Sequence, residues 1–222
     1  MRILITAGPT HEPIDAVRYI ANRSSGRLGI ALAEAAAGRG LDVTLLLGPT
    51  PRTTTDSRIR VVRFQSTADL QALLAMHFPE CDTLIMSAAV ADYRPKRIGP
   101  ADASPSHPAP TKLRRSESPL TLELEPTPDL LAEVAARKRP GQIIVGFALE
   151  PEDRLLASAQ SKLERKQLDA IVANPLETMD APTVRATVMF KSGDRRETGG
   201  AISKEAFGPW LLDALRLTER RA

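Results

Sequence analysis

Arg2-Ile3-Leu4-Ile5-Thr6-Ala7-Gly8-Pro9 opens the chain, and Ser24-Ser25-Gly26-Arg27-Leu28-Gly29-Ile30-Ala31 follows across a long loop. The first stretch is a short apolar run of strand length, stopped by Gly-Pro. The second begins an Ala- and Leu-rich segment that reads as a helix to about Gly38, with Gly40 ending it. Asp42-Val43-Thr44-Leu45-Leu46-Leu47 is a second strand, stopped by Gly48-Pro49. Strand, loop, helix, strand is the unit of a parallel sheet covered on both faces. In such a sheet the loop after the first strand lies at the carboxyl ends, where ligands bind.

The alternation continues outward. Strands are expected at 59–64, 83–87, 142–147 and 169–173, with a half-exposed strand at 120–125. Thr67 is expected to cap a helix over 68–77, and Thr127-Pro128-Asp129 to start another, with Thr as cap and Pro at the first helical position. Further helices are expected at 152–166 and 203–219, and a hairpin at 184–190 and 195–202 around Ser192-Gly193-Asp194. The expected fold is one α/β domain over residues 1–222, Rossmann-like, with three αβα layers, a mostly parallel sheet and a hairpin appendage over 184–202. Residues 94–116 break the rhythm: they carry repeated prolines and six basic residues, Arg94, Lys96, Arg97, Lys112, Arg114 and Arg115. They read either as a solvated basic linker or as a flap that closes on an anionic ligand.

Composition excludes several classes. With 42% hydrophobic residues the chain is globular, and its opening apolar run is too short for a signal peptide or a membrane span. The single cysteine, Cys81, allows no internal disulfide and suits a reducing cytoplasm. It precedes an apolar run and reads as structural. The three histidines, His11, His77 and His107, lie far apart, so no metal held by protein ligands is expected. The basic residues have no interleaved aromatics, which makes a poor nucleic-acid surface.

In the first loop, Gly8, Gly26 and Gly29 permit close backbone approach, Ser24 and Ser25 offer hydroxyls, and the following helix offers unpaired amides. Together they make an anion cradle. Gly-x-Gly-x-x-Gly is absent, no acidic residue ends the second strand, and no Gly-Lys-Ser/Thr follows, so this is neither a dinucleotide fingerprint nor a P-loop. After the fourth strand comes Met86-Ser87-Ala88-Ala89-Val90-Ala91-Asp92-Tyr93. Its small residues either leave room for a ligand or simply pack closely, and Asp92 is either a site carboxylate or a turn cap.

Gly8-Pro9-Thr10, Glu12-Pro13-Ile14-Asp15, Val17-Arg18-Tyr19-Ile20 and Asn22-Arg23-Ser24-Ser25-Gly26 resemble the signature loop of phosphopantothenate–cysteine ligases. Ala88 to Tyr93 is similar to that family's second signature, and Pro126-Thr127-Pro128-Asp129-Leu130-Leu131 to the third. Gly146-Phe147-Ala148, and Lys162 through Lys166 leading to Val172-Ala173-Asn174, resemble the fourth and fifth. The likeness is colinear over nearly the whole chain.

The resemblance implies a two-step reaction. The carboxylate of 4′-phosphopantothenate attacks the α-phosphate of a nucleoside triphosphate, giving an acyl-nucleotide and pyrophosphate. The amine of L-cysteine then displaces the nucleotide. CTP is the expected co-substrate, with ATP the alternative, and Mg²⁺ rides on the triphosphate. Asn22 matches the asparagine that engages the acyl intermediate, and Lys112 the first lysine of a Lys-x-Lys-Lys flap motif. Ser24, Gly26 and Gly29, with Gly8, fall to nucleotide phosphates. Met86, Ser87, Ala88 and Asp92 line a shared pocket in which Ala88 and Ala89 also meet phosphopantothenate, and Asp92 falls to either the nucleotide or phosphopantothenate. Pro128, Asp129, Leu130, Leu131, Phe147, Lys162 and Lys166 match nucleotide contacts, with Phe147 placed to stack on the base. Family members pair through the C-terminal hairpin, which implies a homodimer.

This chain departs from the family in three places. The flap motif is Lys112-Leu113-Arg114-Arg115, which keeps charge but not geometry. Met179-Asp180-Ala181-Pro182 lacks an asparagine-rich pattern. The chain starts on the first ligase strand, so the flavin-dependent decarboxylase domain of many bacterial members is expected to be a separate protein or to have been cut away. Two rival readings are an NAD(P)-binding oxidoreductase and a non-enzymatic nucleotide-binding module. The missing acidic residue and the absent Tyr-x-x-x-Lys pair oppose the first, and the weak nucleic-acid surface opposes a basic-flap version of the second.

Overall fold

The computed structural model describes residues 1–96, 112–114, 117 and 119–217. The flap expected over 94–116 therefore lies mostly outside the described residues. The chain runs β1 (Arg2–Ala7), β2 (His11–Pro13), β3 (Tyr19–Ala21), α1 (Arg27–Gly38), β4 (Asp42–Leu47), β5 (Ile59–Arg63) and α2 (Thr67–His77). There follow β6 (Thr83–Met86), β7 (Tyr93–Pro95), β8 (Leu124–Pro126), α3 (Leu130–Ala136), β9 (Ile143–Glu150), α4 (Leu155–Arg165) and β10 (Ala170–Pro175). The last elements are β11 (Thr183–Val184), β12 (Thr187–Phe190), β13 (Arg195–Glu197), β14 (Ile202–Ser203) and α5 (Lys204–Ala214).

An eight-stranded sheet has the order β13-β12-β10-β9-β6-β1-β4-β5. The six strands from β10 to β5 pair in parallel. The order reverses at β1: the chain moves outward to β4 and β5, then returns to β6 on the other side. That reversal opens a crevice at the carboxyl ends of β1 and β6, which is where doubly wound sheets take ligands.

Period-two alternation assigns the strand side chains to two cores. Ile3, Ile5 and Leu45 pack with Phe207 and Leu211 beneath α1 and α5. Leu4, Leu46 and Leu84 pack with Leu70, Leu130 and Leu163 beneath α2, α3 and α4. The three expected layers follow from these two buried faces. Cys81 is in the second core; burial pushes its thiol up to about 12, and it contacts the Phe78 carbonyl, so its role is structural.

Four local expectations are corrected. The hairpin is not an appendage: β12 pairs antiparallel with β10 and β13 with β12, so it continues the main sheet. Of residues 120–125, only 124–125 fall in a strand, β8, which pairs with β7 in a separate ribbon rather than joining the sheet. Helix α2 is capped by Ser66 in a capping box with Asp69, because Thr67 is turned inward. Both its amide (2.8 Å) and its hydroxyl (2.7 Å) donate to the buried carboxylate of Glu12. Helix α3 begins at Leu130 under an Asp129 cap, because Thr127 donates through its amide to the Asp92 carbonyl (2.9 Å) and through its hydroxyl to that of Ala91. The long first loop is also partly ordered, since β2 and β3 form a small antiparallel pair.

Candidate active site

The signature loop is laid along the segment after β6. Ala89 N donates to the Gly8 carbonyl (2.9 Å) and Thr10 N to the Ala89 carbonyl (3.2 Å). The Thr10 hydroxyl accepts from Ala91 N (3.0 Å). These bonds hold the two strand-tip segments side by side, and two cavities open beside them. They share Arg23, Ala88, Ala89, Phe147, Leu149 and Met179 as a common wall.

The first cavity, about 210 Å³, sits at the start of α1 and is lined by Gly8, Ser24, Ser25, Gly26, Gly29 and Ser87. Gly26 stands before the helix with φ 71°, a left-handed conformation that side chains disfavour, and it has no side chain to cap the first turn, whose Arg27 amide makes only a long 3.5 Å bond to the Ser25 hydroxyl. The helix amides thus face the cavity with their positive dipole end. Gly29 is required for closeness: a Cβ there would run into Ala7 and come within 2.7 Å of Ser87 Oγ. Gly8, Ser24, Gly26 and Gly29, the residues read as an anion cradle, all line this one cavity.

The second cavity, about 660 Å³, gathers Asn22, Met86, Ala88, Ala89 and Asp92 from one side. Pro128, Asp129, Leu130, Leu131, Lys162 and Lys166 close the other. Asn22 is held by its amide, one N–H of which donates to the Val90 carbonyl (2.8 Å); an amide NH₂ carries a second donor. Lys162 donates to Glu150 (2.8 Å) and Lys166 to Asp129 (2.9 Å), the two lysines lying one turn apart on the same side of α4 and at its end. Each ammonium keeps donors beyond its carboxylate partner. The bonded lysine is the main cause holding the Glu150 carboxyl below its ordinary range. Asp129 is also lowered: burial raises it, and the bonds from Lys166 and Ala132 N outweigh that.

Lys112 is exposed and lines neither cavity. The backbone beside it is nevertheless anchored. Leu113 N donates to the buried carboxylate of Asp15 (3.0 Å), and the Arg18 guanidinium donates to the Leu113 carbonyl (2.9 Å). Arg18 also binds Asp15 directly and, with three backbone amides, holds the Asp15 carboxyl far below the usual carboxylate range. At the flap base, Arg94 pairs with Glu125 and Lys96 with Glu123 (both 2.7 Å).

The profile described as DNA/pantothenate metabolism flavoprotein C-terminal domain matches residues 1–217. The chain belongs to this family. Its members include the ligase portion of bacterial CoaBC proteins. The chain is 38% identical over 199 residues to the coenzyme A biosynthesis bifunctional protein CoaBC of Bacillus subtilis (strain 168), covering 88% of this chain and 46% of that protein. It is 42% identical over 197 residues to a cysteine/cysteine sulfinic acid decarboxylase of an unknown prokaryotic organism, covering 87% of this chain and 52% of that protein. The chain thus spans about half the length of these relatives. The crystal structure of the C-terminal domain of a CoaBC protein superposes with TM-score 0.80 at 32% identity, covering 100% of this chain and 96% of that one. A mutant Cab2 in complex with phosphopantothenate-cysteine shares the fold at TM-score 0.74 and 20% identity, covering 96% of this chain and 85% of that one.

Other lining residues carry no assigned role in the sequence reading, where Asn174 appears only within the Val172-Ala173-Asn174 motif. Asn174 and Thr178 enter the first cavity from the end of β10, bonded to each other at 2.8 Å. Met179 and Asp180, noted only as a departure, form the rim, where Asp180 pairs with Arg23 at 2.6 Å. Lys204 enters the first cavity from the start of α5. A lysine at the first position of a helix opposes the dipole, and that was the available signal.

Proposed function

We propose that this chain joins 4′-phosphopantothenate to L-cysteine through an acyl-nucleotide, with CTP as co-substrate. The observation that carries the reading is the pair of connected cavities at the sheet's reversal point. One offers the first turn of α1 with its amides and dipole suited to phosphate, and the other offers a tethered amide donor, small residues and lysines. In the first step a carboxylate oxygen bonds to the α-phosphorus and the bond to the β-phosphate breaks, releasing pyrophosphate. In the second the cysteine nitrogen bonds to the acyl carbon, the acyl–nucleotide bond breaks, CMP leaves and the amine gives up a proton.

The residues have separate tasks. The cradle of Ser24, Gly26 and Gly29 holds phosphate oxygens through backbone and hydroxyl donors. The free N–H of Asn22 donates to the acyl oxygen as it becomes negative. Phe147, at the wall common to both cavities, offers a ring face to the base. Lys162 and Lys166 add charge near the nucleotide, and Lys112 is assigned to the leaving pyrophosphate. Mg²⁺ is assigned to the triphosphate, where it would offset charge and keep most of its water.

Incubation with phosphopantothenate, cysteine, Mg²⁺ and either CTP or ATP, followed by mass spectrometry, tests the reading. Phosphopantothenoylcysteine and CMP are expected with CTP. Product with ATP alone would correct the nucleotide, and no amide with either would refute the ligase.

A further inference from the structure

Lys204 is the first residue of α5, and only 7% of it is exposed. Its ammonium donates to the Thr178 carbonyl at 3.1 Å. Among the described residues it makes no ion pair, although Asp180 and Glu205 act on it at longer range against Arg27 and Arg52. The position is electrostatically poor on its own. The ammonium is buried, it stands at the positive end of α5, and it lines the same cavity as the start of α1.

The placement is rigid. Gly208 lets α5 approach α1 so closely that a Cβ there would come within 2.7 Å of the Ala31 carbonyl. Arg27 of α1 and Glu205 of α5 are joined at 2.7 Å. Ser203 caps α5 through a bond to Ala206 N (3.0 Å), fixing its first turn. The buried Lys204 ammonium, the start of α1 and the Ser24–Gly26 turn therefore line one small space, and the one carboxylate that lines it among the described residues, Asp180, is bonded to Arg23 rather than to Lys204. A ligand oxyanion would supply the counter-charge that Lys204 lacks.

We infer that Lys204 is a ligand-binding residue which, with the first-turn amides of α1, forms one site for a phosphoryl group. This deepens the ligase reading and rests on it for the identity of the ligand. The phosphoryl group belongs either to the nucleotide tail or to phosphopantothenate.

The test measures binding and thermal unfolding of the wild type, Lys204→Met and Lys204→Arg with inorganic pyrophosphate, CTP and 4′-phosphopantothenate. Lys204→Met should weaken pyrophosphate by about 10- to 100-fold, the scale of one charge-assisted hydrogen bond. Lys204→Arg should stay within a few-fold of wild type. A matching loss for CTP alone assigns the nucleotide tail, and for phosphopantothenate alone the substrate phosphate. Without ligand, Lys204→Met should unfold no earlier than wild type, because a buried unpaired charge has been removed. Two results overturn the inference: a Met variant that binds all three probes like wild type, or one that unfolds much earlier without ligand, which marks Lys204 as a structural peg. A wild type that binds pyrophosphate but neither CTP nor phosphopantothenate would sink the ligase reading while leaving the oxyanion site standing; one that binds none of the three would sink the site.

Discussion

Asn22→Asp is expected to separate the two half-reactions. The side-chain amide lines the larger cavity and donates one N–H to the Val90 carbonyl at 2.8 Å, so a second donor remains on the same nitrogen. Aspartate preserves the shape but has no N–H, so the donor is replaced by a negative charge beside a carbonyl. That charge repels the oxyanion formed when cysteine attacks. In the proposed reaction activation places its new charge on phosphates assigned to the neighbouring cavity, so it should be less affected. Loss of one oxyanion donor costs about 3–4 kcal/mol, so amide formation should fall by at least about 10²-fold. Acyl-nucleotide should accumulate and be seen by mass spectrometry of the quenched reaction. Equal slowing of both steps with the fold intact, or amide formation near wild type, would remove Asn22 from this role.

Lys112→Gln is expected to do the reverse. The side chain is exposed, and the neighbouring Leu113 is held through its backbone by Asp15 and Arg18. The substitution should therefore leave the anchor and the unfolding temperature unchanged. The first step should slow by about 10²-fold or more, the scale of losing one donor to developing charge. Amide formation from preformed acyl-nucleotide should change little. Single-turnover pyrophosphate release compared with cysteine capture of that intermediate separates the two. Loss confined to the second step would contradict the assignment.

Much of the fold is legible because its strands are buried and its helices are amphipathic. Residues 2–7, 27–38 and 42–47 have apolar patterns that tertiary contacts only reinforce. The misread boundaries share a cause: a side chain that caps well locally was used elsewhere. Thr67 serves Glu12, fifty-five positions away, and Thr127 serves Ala91. Neither partner is visible in a local window. Residues 120–125 alternate like a sheet strand, yet only 124–125 fall in one, and it pairs with Tyr93–Pro95 outside the main sheet. The site was legible where glycines and small residues mark close approach, as at Gly26, Gly29 and Ala88. It is less legible on the far wall, where Asn174 is read only as part of a motif, Met179 only as a departure and Lys204 not at all, because the three arrive from separate elements.

Pyrophosphate release without cysteine tests the central claim most directly. Enzyme mixed with phosphopantothenate, CTP and Mg²⁺ should release a burst of pyrophosphate on the scale of the enzyme concentration, and cysteine should then turn the burst into steady release. A strict requirement for cysteine before any pyrophosphate appears would contradict an acyl-nucleotide intermediate.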